Sequence, residues 1–262
     1  MSVDYNHRDY FRHIAPQYRS LRTTDREPIT HIVRQLDALR TIEAADIGCG
    51  TGRYTQLLSR SLRDKISGMY GIDYSANMLG QLRRNFAKDS VRGAVTIKSS
   101  AMYLPLRDES LNCIFTFNAV HHFTLMDFLR ETERILQDGG YLFIYTRLRS
   151  QNSRSVWGRF FPMFDSKETR LYEEHDLQHA ITKIPRLTLQ KSQVFTFDRV
   201  SNLESLSHRA ESRYYSTFDL YARSELEIAL NEFSDNLSDH FDDPTKIQWV
   251  DGNILLILQK TD

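Results

Sequence analysis

The sequence predicts an α/β fold: a largely parallel sheet with helices on both faces, and a helical cap outside it. Short apolar runs rich in branched and aromatic residues alternate with helical stripes over the first 146 residues. A glycine-rich turn, Gly48-Cys-Gly-Thr-Gly52, stands between the first such run and a helical pattern. Beyond Thr146 the rhythm changes to two long helical stretches with few strand signals.

Pro28 opens the first helix, in which Ile29, Ile32, Val33, Leu36 and Leu39 recur at helical spacing. Ile42–Ile47 is the first strand, and Tyr54, Leu57, Leu58 and Leu62 mark the helix after the glycines. Ile66–Ile72 is the second strand, and Ser75 caps the helix that carries Met78, Leu79, Leu82 and Phe86. Residues 95–97 and Leu111–Phe117 are the third and fourth strands. Phe128, Leu129, Ile135 and Leu136 form a helical stripe that Gly139-Gly140 is expected to end, before a fifth strand over Tyr141–Tyr145. Residues 147–185 and 202–243 make the cap, Leu187–Phe197 reads as a strand, and Ile254–Leu258 closes the sheet. Neither helical stretch has strands of its own, so the whole chain, 1–262, is expected to be one domain.

Composition excludes several function classes. Cys49 and Cys113 are the only cysteines, too few for a disulfide scaffold or a four-thiolate zinc site. The 34 basic and 34 acidic residues cancel, unlike a dedicated nucleic-acid binder. The longest stretch without a charge, Ser110–Met126, carries Asn112, Asn118, His121 and His122, whereas a membrane span needs about 20 mostly apolar residues. The first residues lack an apolar signal core, so a cytoplasmic setting with no membrane partner is expected.

Glycines at 48, 50 and 52 permit a tight turn and close approach of a ligand to backbone. A dinucleotide fingerprint wants its third glycine five residues after the first, and Arg53 stands there. Asp46, just before the glycines, can orient the loop or meet an ammonium group. Asp73, closing the second strand, can accept hydrogen bonds from both ribose hydroxyls. Together these fit a nucleoside bearing a cationic amino acid better than a pyrophosphate.

Asp46-Ile-Gly-Cys-Gly-Thr-Gly52, Gly71-Ile-Asp-Tyr-Ser-Ala-Asn-Met78, Leu104-Pro-Leu-Arg-Asp108 and Glu133-Arg-Ile-Leu-Gln-Asp-Gly-Gly140 resemble the successive motifs of class I S-adenosylmethionine-dependent methyltransferases. The resemblance is strongest to the type-11 group of small-molecule enzymes and runs from about Tyr18 to Tyr145. It implies a Rossmann-like, seven-stranded, mostly parallel sheet whose last strand is antiparallel. It also implies S-adenosylmethionine as cofactor and S-adenosylhomocysteine as product. Carried across, Gly48, Cys49, Gly50 and Gly52 lie against the methionine part, and Asp73 binds the ribose. Tyr74 and Met78 flank the adenine, and Ala101 and Met102 border it. Asn118 and Ala119 face the methionine near the sulfonium, Tyr18 closes over the cofactor, and Arg22 helps bind its carboxylate. Ser100 stands where the family often has an acidic residue on the adenine amino group, and a serine still accepts a hydrogen bond. Asn112 replaces a frequent aspartate and reads as structural.

A general base is needed only if the acceptor must lose a proton. His121 and His122 follow the fourth strand and are the candidates. The competing assignment is local packing for one and pocket support for the other. Asn118-Ala-Val-His121 lacks the prolines of amino-methylating enzymes that act on DNA bases or glutamine, which leaves a small-molecule acceptor. Arg147, Arg149, Arg154 and Arg159 suggest an anionic acceptor. Trp157, Phe160, Phe161, Met163, Phe164, Tyr214, Phe218 and Tyr221 either line an apolar acceptor pocket or pack the cap. His175 and His179 share a helix face but lack a third ligand, so no metal is expected. The rival assignments are a non-catalytic S-adenosylmethionine-binding regulatory protein, a nicotinamide-dependent oxidoreductase and an RNA methyltransferase.

Overall fold

The computed structural model describes residues 14, 15, 22–91 and 93–262. Its strands are β1 (Ile42–Ile47), β2 (Ile66–Asp73), β3 (Ala94–Lys98), β4 (Leu111–Phe117), β5 (Leu136–Thr146), β6 (Leu187–Ser201) and β7 (Ile247–Lys260). They form one seven-stranded sheet in the order β3-β2-β1-β4-β5-β7-β6. Ladders among β1 to β5 are parallel, and β7 runs antiparallel to both β5 and β6. The expected last strand is therefore the antiparallel one.

Helices α1 (Glu27–Gln35), α2 (Arg53–Ser61), α3 (Ala76–Asp89) and α4 (Leu125–Ile135) flank the sheet. Pro28 occupies the first turn of α1, and the Ser75 hydroxyl accepts from Met78 N at the start of α3. Alternation along the strands feeds two cores. Ile42, Ala44, Cys113, Phe115, Phe143 and Tyr145 face α1, α2 and α3, whereas Ala45, Ile47, Ile114, Leu142 and Ile144 face α4. Asn112 is structural, as expected: it accepts from Glu43 N at 3.0 Å and donates to Thr41 O at 2.9 Å, clamping β4 to β1.

Two expectations need correction. Gly139-Gly140 does not end a helix. Helix α4 stops at Ile135 and β5 begins at once, because Leu136 already pairs with Leu111. The glycines lie in an irregular stretch where the register jumps from Leu111↔Leu136 to Cys113↔Tyr141, with Gly139 at φ 75°. The last two strands are also longer than expected. The β5–β7 ladder ends at Thr146↔Ile254, but β6 and β7 stay paired to Ser201↔Ile247. A two-stranded ribbon thus projects past the edge of the sheet, on the side where the parallel strands end.

Residues beyond Thr146 build the cap from α5 (Arg149–Ser153), α6 (Val156–Phe160), α7 (Phe164–Lys167), α8 (Glu174–Ile181), α9 (Leu203–Glu211) and α10 (Arg223–His240). α8 packs with the sheet core, while α6, α7, α9 and α10 share a core of their own. Trp157 is its centre, 2% exposed, with its ring centroid 5.3 Å from Phe218 and 5.4 Å from Phe233. Phe160, Phe161, Phe164, Phe218 and Tyr221 pack there too, while Met163 is exposed. Trp157→Ala is expected to cost about 3–5 kcal/mol by urea or thermal unfolding, as a large cavity in a closed core does. A loss below about 1 kcal/mol would contradict this packing.

Candidate active site

The chain runs outward through β1, β2 and β3, then returns to lay β4 beside β1. Strand order reverses at β1/β4, and open α/β sheets bind ligands beyond the strand ends at such a point. A cavity of about 840 Å³ lies there. Its floor is the ends of β1, β2 and β4, and its far wall is the cap and the β6–β7 ribbon.

Gly48, Gly50 and Gly52 have φ of 70°, 55° and 82°, the left-handed region that glycine enters freely. A Cβ on Gly48 would lie 2.6 Å from Ala119 Cβ and 2.9 Å from Phe123 Cζ. Gly52 is off the cavity wall, contrary to the expected cofactor contact. Its bare Cα makes room for α3, since a Cβ would lie 2.3 Å from Leu82 Cδ1.

Four amides of this loop are already engaged. Gly48 N and Cys49 N donate to Ile72 O at 2.8 and 3.1 Å, Gly52 N donates to Cys49 O at 2.9 Å, and Gly50 N donates to Asp73 Oδ2 at 2.8 Å. A pyrophosphate cradle needs such N–H groups pointing at the ligand, so the loop is ill suited to a dinucleotide.

Asp73 Oδ1 accepts from Ser75 N at 2.8 Å. Burial pushes the Asp73 carboxyl up, and the amides of Ser75, Gly50 and Tyr74 oppose that. Spare lone pairs remain for a vicinal diol. Asp46 is 1% exposed, and its Oδ2 accepts from Thr55 Oγ1. Its Oδ1 has no hydrogen-bond partner among the described residues. Burial, against the Thr55 hydrogen bond and with help from nearby Asp73, pushes this carboxyl up to about 7. An unpartnered buried carboxylate oxygen beside a second carboxylate with spare lone pairs fits an ammonium-bearing nucleoside.

Cys49, Tyr74, Met78, Ser100, Ala101 and Met102 line the cavity on the β2–β3 side. Tyr74 and Met102 are exposed at its rim, while Met78 and Ala101 are buried. Ser100 Oγ accepts from Met102 N at 3.2 Å, which shapes that loop. Asn118 and Ala119 line it after β4. Asn118 sits at φ 51°, held by a 2.7 Å bond from its N–H to Tyr145 O and by Asn253 Nδ2 donating to its Oδ1 at 2.9 Å. The Arg22 guanidinium lies 4.8 and 4.7 Å from the Tyr214 and Tyr215 ring centroids. Tyr18 falls outside the described residues.

His121 and His122 both line the cavity, in the 3-10 turn Val120–His122, with ring centroids 4.1 Å apart. Across from the strand ends the cap supplies Glu168, a buried carboxylate that accepts from Arg170 and, at 2.6 Å, from Thr217 Oγ1. Burial opposes the Glu168 charge, but Arg170, Thr217 and His121 hold its carboxyl below the usual range. Of the four expected arginines only Arg147 reaches the cavity. Arg149 donates to Leu171 O at 2.9 Å, and Arg154 and Arg159 are exposed. Of the cap aromatics singled out by sequence, only Tyr214 lines the cavity; the others fill the cap or, like Met163, face solvent.

Glu168, Arg199, Tyr215, Asp251 and Asn253 line the cavity and were not singled out by sequence. A signal existed for two of them. Asp251-Gly-Asn253 directly precedes the apolar run of β7, and both polar residues are buried. Among the described residues no group of three or more His, Cys, Asp or Glu is placed to hold a metal, and His175 and His179 are exposed. No helix among them is long and apolar enough to cross a membrane.

Residues 45–144 match the family model described as a methyltransferase domain. Over that stretch the chain is similar to class I, S-adenosylmethionine-dependent methyltransferase domains of the type-11 group. A probable tRNA methyltransferase 9B from Mus musculus is 31% identical over 114 residues, covering 42% of this chain and 23% of that protein. The chain spans only about a quarter of the length of the first curated relatives it matches. A malonyl-[acyl-carrier protein] O-methyltransferase from Enterobacter lignolyticus is 28% identical over 231 residues, 84% of this chain and 86% of that one. Among solved structures, the geranyl diphosphate C-methyltransferase from Streptomyces coelicolor A3(2) superposes with TM-score 0.54 at 14% identity. It covers 88% of this chain and 78% of that one, a likeness of fold.

The Asp46 environment generates a pH prediction for the methyltransferase domain. A carboxyl held near 7 is mostly protonated at pH 5.5, and S-adenosylmethionine pays for its ionisation when its ammonium binds. Affinity for S-adenosylmethionine by calorimetry should therefore rise by up to about tenfold per pH unit from about pH 5.5 to 7 and then level. Asp46→Asn should bind weakly and flatten this rise. An unchanged slope in the variant would remove Asp46 as its source. The same raised pKa lowers the stability of the unliganded protein as pH climbs from about 4 to about 7, because the folded state holds the proton longer.

Proposed function

We propose that the protein transfers the methyl group of S-adenosylmethionine to a small-molecule acceptor held between the strand ends and the cap. The observation that carries this reading is the continuity of the cavity, which runs from the Asp46–Asp73 side to walls built by Glu168, Tyr214 and Tyr215. When bound, S-adenosylmethionine supplies an electrophilic methyl on its sulfonium, and the protein's work is alignment and exclusion of water.

In this reading Asp46 Oδ1 meets the ammonium and Asp73 accepts from the ribose. Gly48, Cys49 and Gly50 pass beside the methionine chain. Tyr74, Met78, Ser100, Ala101 and Met102 border the base, Asn118 and Ala119 face the reacting end, and Arg22 meets the carboxylate. His121 and His122 stand where a proton leaves the acceptor, and ionised Glu168 stabilises the imidazolium that proton uptake creates at His121. The relative matched over 84% of this chain is named malonyl-[acyl-carrier protein] O-methyltransferase, which favours an oxygen acceptor. Relatives named for tRNA match only 42% of the chain, and its net charge is zero.

Methyl-labelled S-adenosylmethionine, offered with a panel of carboxylic acids, phenols and amines, tests the proposal. Label should pass to a small acceptor, and replacing His121 by Gln should cut turnover about 10²-fold or more while S-adenosylhomocysteine affinity holds. Label passing to tRNA alone would overturn the small-molecule reading. Full turnover in both single histidine variants would remove the general base.

A further inference from the structure

On the cap side of the cavity the charges are paired with one another. Arg147 Nη2 lies 3.0 Å from Asp251 Oδ1, and Arg199 Nη2 lies 2.7 Å from Asp25 Oδ1. Glu168 is bonded to Arg170 and to Thr217. Three arginines thus balance three carboxylates, and this group keeps no surplus charge with which to draw an ion.

Between these ion pairs and the strand ends stands a pair of neutral amides. Asn118 follows β4, Asn253 lies in β7, and both line the cavity. Asn253 Nδ2 donates to Asn118 Oδ1 at 2.9 Å. A hydrogen bond between two carboxamides uses one carbonyl and one amino group. One of each is left over, whichever way each amide is turned. Here the remaining groups are Asn118 Nδ2 and Asn253 Oδ1. Neither has a hydrogen-bond partner among the described residues, and neither is sealed from the open cavity as Arg147 Nη1 is. The pair therefore offers one donor and one acceptor. Both residues are unusual for their places. Asn118 holds φ 51°, which is strained for a residue with a Cβ. Asn253 is 6% exposed, directly before the buried apolar run Ile254–Leu258. Strain and a buried amide, tied to each other, are features that persist where a ligand uses them.

From this geometry we infer that the Asn118–Asn253 pair determines acceptor specificity. The acceptor it selects is uncharged, with an apolar body and a group that donates and accepts at once, a carboxamide or a hydroxyl. The inference rests on the methyltransferase reading above. A carboxylate could accept from Asn118, but it would meet the Asn253 carbonyl and enter a wall whose cations are already paired. An ammonium group would find the carboxylates of that wall paired as well. The apolar body follows from Phe117, Phe123 and Leu171, which also line the cavity.

The test compares four probes of similar shape by ligand-observed NMR, on the whole protein with and without S-adenosylhomocysteine. Benzamide and benzyl alcohol donate and accept, acetophenone only accepts, and benzoate accepts and is charged. Asn253→Val removes the pair from one side with a residue that suits a strand. Asn118→Gly removes it from the other with a residue at ease at φ 51°. Circular dichroism melts establish that each variant is folded.

The wild type should bind benzamide or benzyl alcohol about tenfold more tightly than both acetophenone and benzoate. Preference for the first identifies a carboxamide, and for the second a hydroxyl. Both variants should lose that preference, and Asn253→Val should hold S-adenosylhomocysteine affinity within about twofold. A merely structural pair would weaken all four probes alike and leave the preference in place, which would overturn the inference. No binding of any probe at millimolar concentration, or tighter binding of benzoate or acetophenone, would do the same. So would a parallel loss of S-adenosylhomocysteine affinity in Asn253→Val, which would place the pair on the cofactor. If S-adenosylhomocysteine does not bind the wild type but an Asn253-dependent preference is seen, the neutral subsite stands and the methyltransferase reading falls.

Discussion

The hydrogen bond from Gly50 N–H to Asp73 Oδ2 joins the two strand ends on which the cavity depends. It holds the loop after β1 against the end of β2, with Gly48 N and Cys49 N secured on Ile72 O beside it. Left-handed glycines are the condition for this path, because side chains at 48 and 52 would strike Ala119 and Leu82. The result is a loop with the amides of Gly48, Cys49, Gly50 and Gly52 engaged internally and two carboxylates, Asp46 and Asp73, on the cavity wall. That polarity suits ammonium and hydroxyl groups and works against a pyrophosphate.

The second half of the site hangs on β7. Because β6 and β7 remain paired beyond the last β5 contact, the ribbon reaches the level of the cap. Ile247 enters the cap core, while Asp251 and Asn253 reach the cavity. The same element therefore supports the cap and supplies polar wall. Arg199 on β6 extends the link to Asp25, so that the segment before α1, the ribbon and β5 are joined by ion pairs. These pairs are largely shielded from water, where geometry matters more than at the surface.

The sheet and the β1–β2 side of the cavity were legible in the sequence because their signals are local. Strand runs, the Ser75 cap and the 48–52 glycines each occupy a few consecutive residues. The opposite wall was not, because it assembles Arg147, Glu168, Tyr215 and Asp251 from four distant segments. Arginine spacing after β5 suggested four anion contacts, yet of the four only Arg147 lines the cavity, with Arg149, Arg154 and Arg159 off its wall. Gly52 had the right spacing but the wrong neighbour: its constraint is helix packing against Leu82. The ribbon is not marked in the sequence because Gln248 to Asn253 breaks the apolar run of the rest of β7, and two of its polar residues, Asp251 and Asn253, line the cavity.

The central claim is that the loop and the two carboxylates select an amino-acid-bearing nucleoside over a dinucleotide. Parallel calorimetric titrations with S-adenosylhomocysteine and NAD test it most directly. Micromolar binding of S-adenosylhomocysteine with no heat from NAD is the expected result. Binding of NAD alone, or of both with equal affinity, would contradict the account.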